Sequence, residues 1–386
     1  MSKGTSSGLL DRVRAQSVFK HAILNSYIIR FAIMTASKIP GKRAVLLDGF
    51  AGRGRYPDRT PASGEHLLMA ASKARNSAQV EVVLVEQEPK DFAELAALTD
   101  EYRARGVAAE ALPGDVADHL PAVLEAAEGV PLFLFLDPCG ANLPFQVLQK
   151  ALAGARRKAW PRTEALLNIS ADLTRRAAGV INKRQLDHKV VALMDRMCGG
   201  AWWQQVALRA HATSPDGSFE TAAEAVVVEY ARRLAMAARM KPVVVPVRRQ
   251  VHHQPVYHLV FLTRDEHGLW LFGDALAAAR EKWLRVLGPS DEDVEGMLFN
   301  PVEGQLQAEH DRGLERLKQN ILEVARQHGR AKLVQHTLMV FDGIYGEVPE
   351  KFVTTAVRKL EEAGQLHIAT KARKARDWIV ELGPGS

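Results

Sequence analysis

Four acidic residues stand at or just past the ends of apolar runs, and a glycine-rich turn follows the first. Asp48 closes Val45-Leu46-Leu47 and leads into Gly49-Phe50-Ala51-Gly52-Arg53-Gly54. Glu86 closes the run 80 to 85, Asp115 follows 107 to 112 through Pro113-Gly114, and Asp137 closes Leu132-Phe133-Leu134-Phe135-Leu136. A carboxylate at the end of an apolar strand loses hydration unless it is paired or liganded. Charged acceptors also make the stronger kind of hydrogen bond to hydroxyl and amino groups. In a nucleotide-binding α/β fold the acid after the second strand takes the ribose hydroxyls, and ligands gather where parallel strands end. Glycines in the first turn let the backbone bend tightly and approach a ligand. The order acid, x, aromatic, small, Gly, x, Gly departs from the dinucleotide fingerprint G-x-G-x-x-G. Asp115 has a second reading of equal weight, as the N-cap of the helix that follows it.

The elements needed to place these acids are legible around them. Strands are expected at 43 to 48, 80 to 86, 107 to 112, 131 to 136 and 164 to 170. Val80 to Glu86 is nearly all apolar, as a strand covered on both faces should be. Helices are expected between them at 65 to 76, 91 to 105 and 116 to 128. A leading helix is read from Ile23, Leu24, Tyr27, Ile28 and Phe31 at helical spacing. Lys20, His21 and Tyr27 on it have a cofactor-facing reading and a packed or surface reading, the latter favoured. A mostly helical stretch from 171 to 240 precedes two further strand-like runs, 242 to 250 and 256 to 264. The fold class expected is α/β, a Rossmann-like seven-stranded sheet with a helical insertion.

Gly288-Pro289-Ser290 with Asp291, Glu292 and Asp293 reads as a linker, and the rhythm then changes. Helices at 304 to 327, 333 to 341 and 350 to 363 lead to strands at 366 to 369 and 377 to 382. Between the strands lies Lys371-Ala372-Arg373-Lys374-Ala375-Arg376. Helix, helix and a hairpin with a basic loop is the winged-helix arrangement. There the second helix can enter a major groove while the wing touches phosphates. Lys371, Arg373, Lys374 and Arg376 are the candidate nucleic-acid contacts; a winged helix used for protein contacts is the alternative. The expected division is a disordered tail over 1 to 17, a first domain over 18 to 290 with the insertion at 171 to 240, and a second domain over 300 to 386.

The totals bound the function. At 386 residues with 47% apolar and 25% charged residues, the chain can bury a large core and is not disordered as a whole. A net charge of +6 leans toward a polyanionic partner. Cys139 and Cys198 are the two cysteines, too few for a disulfide framework or a cysteine metal site. With no apolar run of membrane-spanning length and no signal-peptide pattern, a cytoplasmic protein without a membrane partner is expected. His252, His253 and His258 cluster in sequence, but no carboxylate or cysteine nearby completes a set, so no metal is expected. The polar loop Arg55 to Gly64 adjoins the glycine turn; its arginines and Tyr56 are read equally as ligand contacts and as solvated groups.

The order of residues at 48 to 54 resembles the first motif of class I S-adenosylmethionine-dependent methyltransferases. Together with Lys20 to Tyr27, Leu47 to Tyr56, Val83 to Glu86 and Phe135 to Gly140, it makes residues 18 to 170 resemble the three-Cys-motif partner family of methyltransferase-like proteins. The resemblance implies S-adenosyl-L-methionine as cofactor, bound around Asp48, Gly49, Phe50, Gly52 and Gly54. It places Glu86 on the ribose, Asp115 on the adenine amino group, and Asp137 with Pro138 at the acceptor atom. The family name refers to a separate cysteine-bearing protein, so such a partner is implied.

Two departures stand out. Gly64-Glu65-His66 replaces an expected Gly-Ser-Pro, and Cys139-Gly140 replaces the Pro-aromatic pair of amino methyltransferases that stacks on an extruded base. Cys139 lies one position out of frame with the nucleophilic cysteine of cytosine-C5 enzymes, and a small residue in a tight turn is the preferred reading. The expected function is methyl transfer to nucleic acid, DNA before RNA. The alternative is a winged-helix DNA-binding or partner protein whose methyltransferase-like domain no longer catalyses.

Overall fold

Apolar runs that end on acids become parallel strands when helices cover both faces of the sheet. A computed structural model describes residues 15–138, 143–158, 160–186, 188–288 and 301–384. Expectations that fall on Met1 to Gly8, on Cys139 and Gly140, and on Pro289 to Asp293 lie outside the described residues. The described residues divide into two units, one of residues 15–16 and 28–264 and one of residues 17–27 with 265–384.

The first unit is built on β1 (Arg43–Asp48), β2 (Gln79–Glu86), β3 (Ala108–Pro113), β4 (Leu132–Leu136), β5 (Thr163–Ser170), β6 (Lys241–Val247) and β7 (Tyr257–Thr263). They form one sheet in the order β3-β2-β1-β4-β5-β7-β6. β1 to β5 run parallel, and β7 is antiparallel to both β5 and β6. Strand order reverses between β1 and β4, which makes their carboxyl ends the switch point where an open α/β sheet holds its ligand. This is the seven-stranded Rossmann-like sheet expected from the sequence. Every residue of β4 is buried, Phe133 and Phe135 completely. Each of these rings contributes on the order of 2–3 kcal/mol by leaving water.

Helix α1 (Ala15–Ala36) is divided between the units at Tyr27, and α2 (Ser63–Ala74), α3 (Pro89–Ala104) and α4 (Val116–Ala126) follow the first strands along the chain. α1 begins at Ala15, inside the stretch expected to be a tail. After β4 comes α5 (Phe145–Gln149), continued by a wide turn over Lys150–Ala155; neither was expected, because five residues are too few to show a helical period. The helical stretch expected from 171 to 240 resolves into α6 (Ala171–Asn182), α7 (Lys189–Cys198), α8 (Trp202–Ala212) and α9 (Glu220–Ala238). Their apolar faces join one core with the sheet, through Ala177, Met194, Trp203 and Val227.

The second unit contains α10 (Glu266–Leu287), α11 (Pro301–His328), β8 (Ala331–Lys332), α12 (Thr337–Val340), α13 (Lys351–Glu362), β9 (Leu366–Thr370) and β10 (Ile379–Leu382). The strands pair antiparallel in the order β8-β10-β9. α13 buries Val353, Ala356, Val357 and Leu360, the i, i+3, i+4, i+7 stripe of an amphipathic helix. The sequence places α10 in the first domain, whereas the structure groups it with the second unit. Its Trp270 indole donates to Glu350 Oε2 at 3.0 Å, and its Leu269 carbonyl accepts from the Tyr345 hydroxyl at 2.5 Å. No helix among the described residues is long and apolar enough to cross a membrane.

Candidate active site at the strand tips

The four acids stand on neighbouring strand ends, stitched together by backbone hydrogen bonds. Asp48 lies in register with Leu84 of β2 and Phe135 of β4, and Glu86 with Pro113 of β3. Past β1 the turn is fastened on both sides. Gly49 N donates to Phe135 O at 2.9 Å, and Ala51 N donates to Val85 O at 2.9 Å. Gly114 N reaches Glu86 O at 3.0 Å, tying the end of β3 to β2.

Asp48 is fully buried, and its Oδ1 accepts from Phe50 N at 3.1 Å. A short acidic side chain that bonds its own backbone two residues on fixes a turn. Asp48 therefore shapes the loop from inside. Phe50 packs its ring partly into the sheet core. Glu86 is half-buried at the tip of β2 and binds the turn directly. Its Oε2 accepts from Gly52 N at 2.8 Å and its Oε1 from Glu88 N at 2.8 Å. An ionised carboxylate offers about four acceptor positions, so each Glu86 oxygen keeps capacity for a hydroxyl donor.

The glycines of the turn are needed for two different reasons. Gly52 has φ +58°, a left-handed conformation that aims its N–H at Glu86. Gly54 has φ +74°, and a Cβ there would sit 2.5 Å from Leu98 Cδ2 and 2.9 Å from Leu95 Cδ1 of α3. At Gly54 the missing side chain makes room for the packing of α3.

Asp115 is the N-cap of α4, and its Oδ1 accepts from Ala117 N at 2.8 Å. The cap reading is realised; the cap takes Oδ1 only. Asp137 follows β4 directly. Leu136 pairs with Leu167, which puts Asp137 beside Asn168 of β5, and the Asn168 amide Nδ2 donates to Asp137 Oδ1. Sequence reasoning missed Asn168. Its signal was a lone amide inside Leu166-Leu167-Asn168-Ile169, at the same height as the acid on the next strand. Pro138 lines a cavity of about 20 Å³ with Asn168, Met197 and Tyr230.

The loop after the turn is held by Glu65 of the Gly64-Glu65-His66 stretch. Glu65, buried on α2, accepts from Arg55 Nε at 2.7 Å and from the Tyr102 hydroxyl at 3.0 Å. Burial and the neighbouring Glu65 carboxylate push the Tyr102 phenol up to about 12. The hydrogen bond it donates to Glu65 raises the Arg55 guanidinium above its ordinary value. Arg55 is thus committed within the protein, Tyr56 is buried, and Arg59 is exposed on the loop. Tyr27 takes the packed role: its hydroxyl reaches Gly268 O at 3.4 Å and its ring meets Phe272 edge-on. Lys20, His21 and Tyr27 belong to the second unit. His258 is buried within β7, and no group of three His, Cys, Asp or Glu among the described residues is placed to hold a metal ion.

In the second unit the four basic candidates separate. Lys371, Arg373 and Lys374 are exposed, with Lys371 Nζ 5.5 Å from the centre of the Trp378 ring. Arg376 is buried and donates to Glu350 Oε2 at 2.7 Å, a structural ion pair.

No protein-family model matches this chain, and no curated protein does. Solved structures similar to it include the methyltransferase domain of a bacterial Hen1 protein, at 9% identity and a TM-score of 0.30, covering 62% of this chain and 99% of that one. An rRNA methylase from Streptococcus thermophilus is similar at 12% identity and a TM-score of 0.30, covering 61% and 95%. A methyltransferase from Podospora anserina, solved with S-adenosylhomocysteine, is similar at 14% identity and 0.29, covering 61% and 76%. The strand order, with β7 antiparallel between β5 and β6, makes the sheet of the first unit a mainly parallel, Rossmann-like one of seven strands.

Proposed function

We propose that the protein is an S-adenosylmethionine-dependent methyltransferase acting on nucleic acid, DNA in the first place. The observation that carries the reading is the set of acids on the adjacent tips of β1 to β4 at the switch point of the sheet. Those residues fit the cofactor. The half-buried Glu86, with acceptor capacity beyond its two backbone bonds, suits a pair of ribose hydroxyls. Asp115 suits the adenine amino group with the oxygen that the helix cap does not use. The turn from Gly49 to Gly54, shaped by Asp48 and Phe50, borders the methionine portion. When bound, S-adenosylmethionine supplies an activated methyl group and its own leaving group.

The protein's part is then alignment. Asp137 and Pro138 hold the acceptor nitrogen or oxygen in line, and the Asp137 carboxylate takes its proton. The second unit is read as a winged helix, with α13 facing the duplex and Lys371, Arg373 and Lys374 on backbone phosphates. The exposure of these three cations on the loop between β9 and β10 supports this. Arg376 is left out, because Glu350 holds it. The motif residues around Asp48, Glu86 and Asp137 support a place in the three-Cys-motif partner family, and with it a separate protein partner.

The test is transfer of a tritiated methyl group from S-adenosylmethionine to total DNA and, separately, to total RNA. Labelling by the wild-type chain that is abolished in Asp137→Ala, with cofactor affinity kept within a few fold, is the expected result. Cofactor binding without labelling of either polymer would instead favour a binding protein with a silent methyltransferase-like domain.

A further inference from the structure

The contact between β4 and β5 at the strand tips deepens this reading and rests on it. Asn168 is held on a rigid part of the sheet. Its backbone lies opposite Leu259 of β7, and the preceding residue pairs with Leu136 of β4. Because a carboxylate at neutral pH only accepts, the amide group turned toward Asp137 is the NH2. That choice turns the other end of the amide inward. Asn168 Oδ1 is buried, with no hydrogen-bond partner among the described residues. An unpaired buried acceptor costs about 1–3 kcal/mol. Leucine has nearly the same size and would carry no such penalty among neighbours such as Leu143 and Met197. The amide is therefore poorly explained by stability and well explained by what it does to Asp137.

We propose that Asn168 is the positioning residue for Asp137. It fixes the plane of the carboxylate at the acceptor site through one neutral donor. A lysine or arginine there would also orient the acid, but would neutralise the charge that accepts the substrate proton. An amide orients it without adding a charge or a titrating group. A shift of a reacting group by about 1 Å is enough to lower rates on the order of 100-fold.

The experiment uses the full chain, tritiated S-adenosylmethionine, and whichever polymer the wild type labels. Asn168→Leu is expected to lower kcat about 10- to 100-fold. It should leave KM and cofactor affinity within about twofold and keep or raise the urea midpoint of unfolding. Asn168→Asp places a second carboxylate against Asp137, so the two share a proton, and the kcat–pH profile should move up by at least about one pH unit.

Asn168→Leu with wild-type kcat overturns the proposal, and so does a loss of kcat that only follows a lowered unfolding midpoint. These outcomes leave Asp137 itself untouched. An Asp137→Ala variant that still transfers methyl groups, or a wild type that transfers none, overturns the functional reading and the role of Asn168 with it.

Discussion

Lowering the pH should weaken this fold through one histidine. His258 is 1% exposed on β7, and neither ring nitrogen has a hydrogen-bond partner among the described residues. Burial first, then the positive charges of Arg175 and Arg248, push its imidazole down from 6.5 to about 4. The neutral ring is thus the form the fold accepts. The unfolded chain binds a proton near pH 6.5, and the folded chain resists doing so until about pH 4. The contribution is complete above pH 6.5, falls as pH drops from there, and levels off below about 4.

Each pKa unit is worth about 1.4 kcal/mol, so the displacement from 6.5 to about 4 is about 3.5 kcal/mol in full, of which about 3 kcal/mol is reached by pH 4. Other groups titrate over the same range, so the assay is a difference. Urea unfolding of wild type and of His258→Leu is measured from pH 7.5 to 4. The variant keeps the site apolar and removes the proton. The gap between the two curves should change in favour of the variant by about 3 kcal/mol across that range. Two curves that stay parallel would refute the buried, neutral histidine.

Three further outcomes follow from the site and the second unit. Gly54→Ala places a Cβ at φ +74° within 2.5 Å of Leu98 and should lower unfolding free energy by about 1–3 kcal/mol in urea titration; an unchanged midpoint would contradict the packing described. Glu86→Ala removes the acceptor for Gly52 N and should weaken S-adenosylmethionine binding at least about tenfold by calorimetry, unfolding being monitored in parallel. Replacing Lys371, Arg373 and Lys374 together by Ala should lower DNA affinity and flatten its salt dependence, whereas Arg376→Ala should mainly lower stability, because that guanidinium is paired with Glu350. A loss of affinity from Arg376→Ala alone, with stability intact, would reverse that division.

What the sequence reveals and what it hides have physical reasons. A buried strand must be apolar along its length, so the run from Leu132 to Leu136 and its terminal acid are visible without coordinates. Asp115 was open between cap and ligand because a helix start and a strand end coincide there, and only Oδ1 on Ala117 N shows the cap. Composition shows charge but not pairing. The four basic residues between 371 and 376 look alike in sequence, yet Arg376 is turned inward to a glutamate 26 positions away. The anchoring of Arg55 by Glu65 was hidden for the same reason, since Tyr102, its third member, lies 37 residues on from Glu65. β8 is two residues long and carries no period at all. Asn168 was overlooked because its partner stands on the next strand, and cross-strand register is not written in either run alone.

Isothermal titration of the purified chain with S-adenosylmethionine reaches the central claim most directly. One molecule bound per chain, with the affinity falling in Glu86→Ala, is the outcome expected of a cofactor pocket at the tips of β1 to β4. No heat and no rise in thermal midpoint at millimolar cofactor would contradict it.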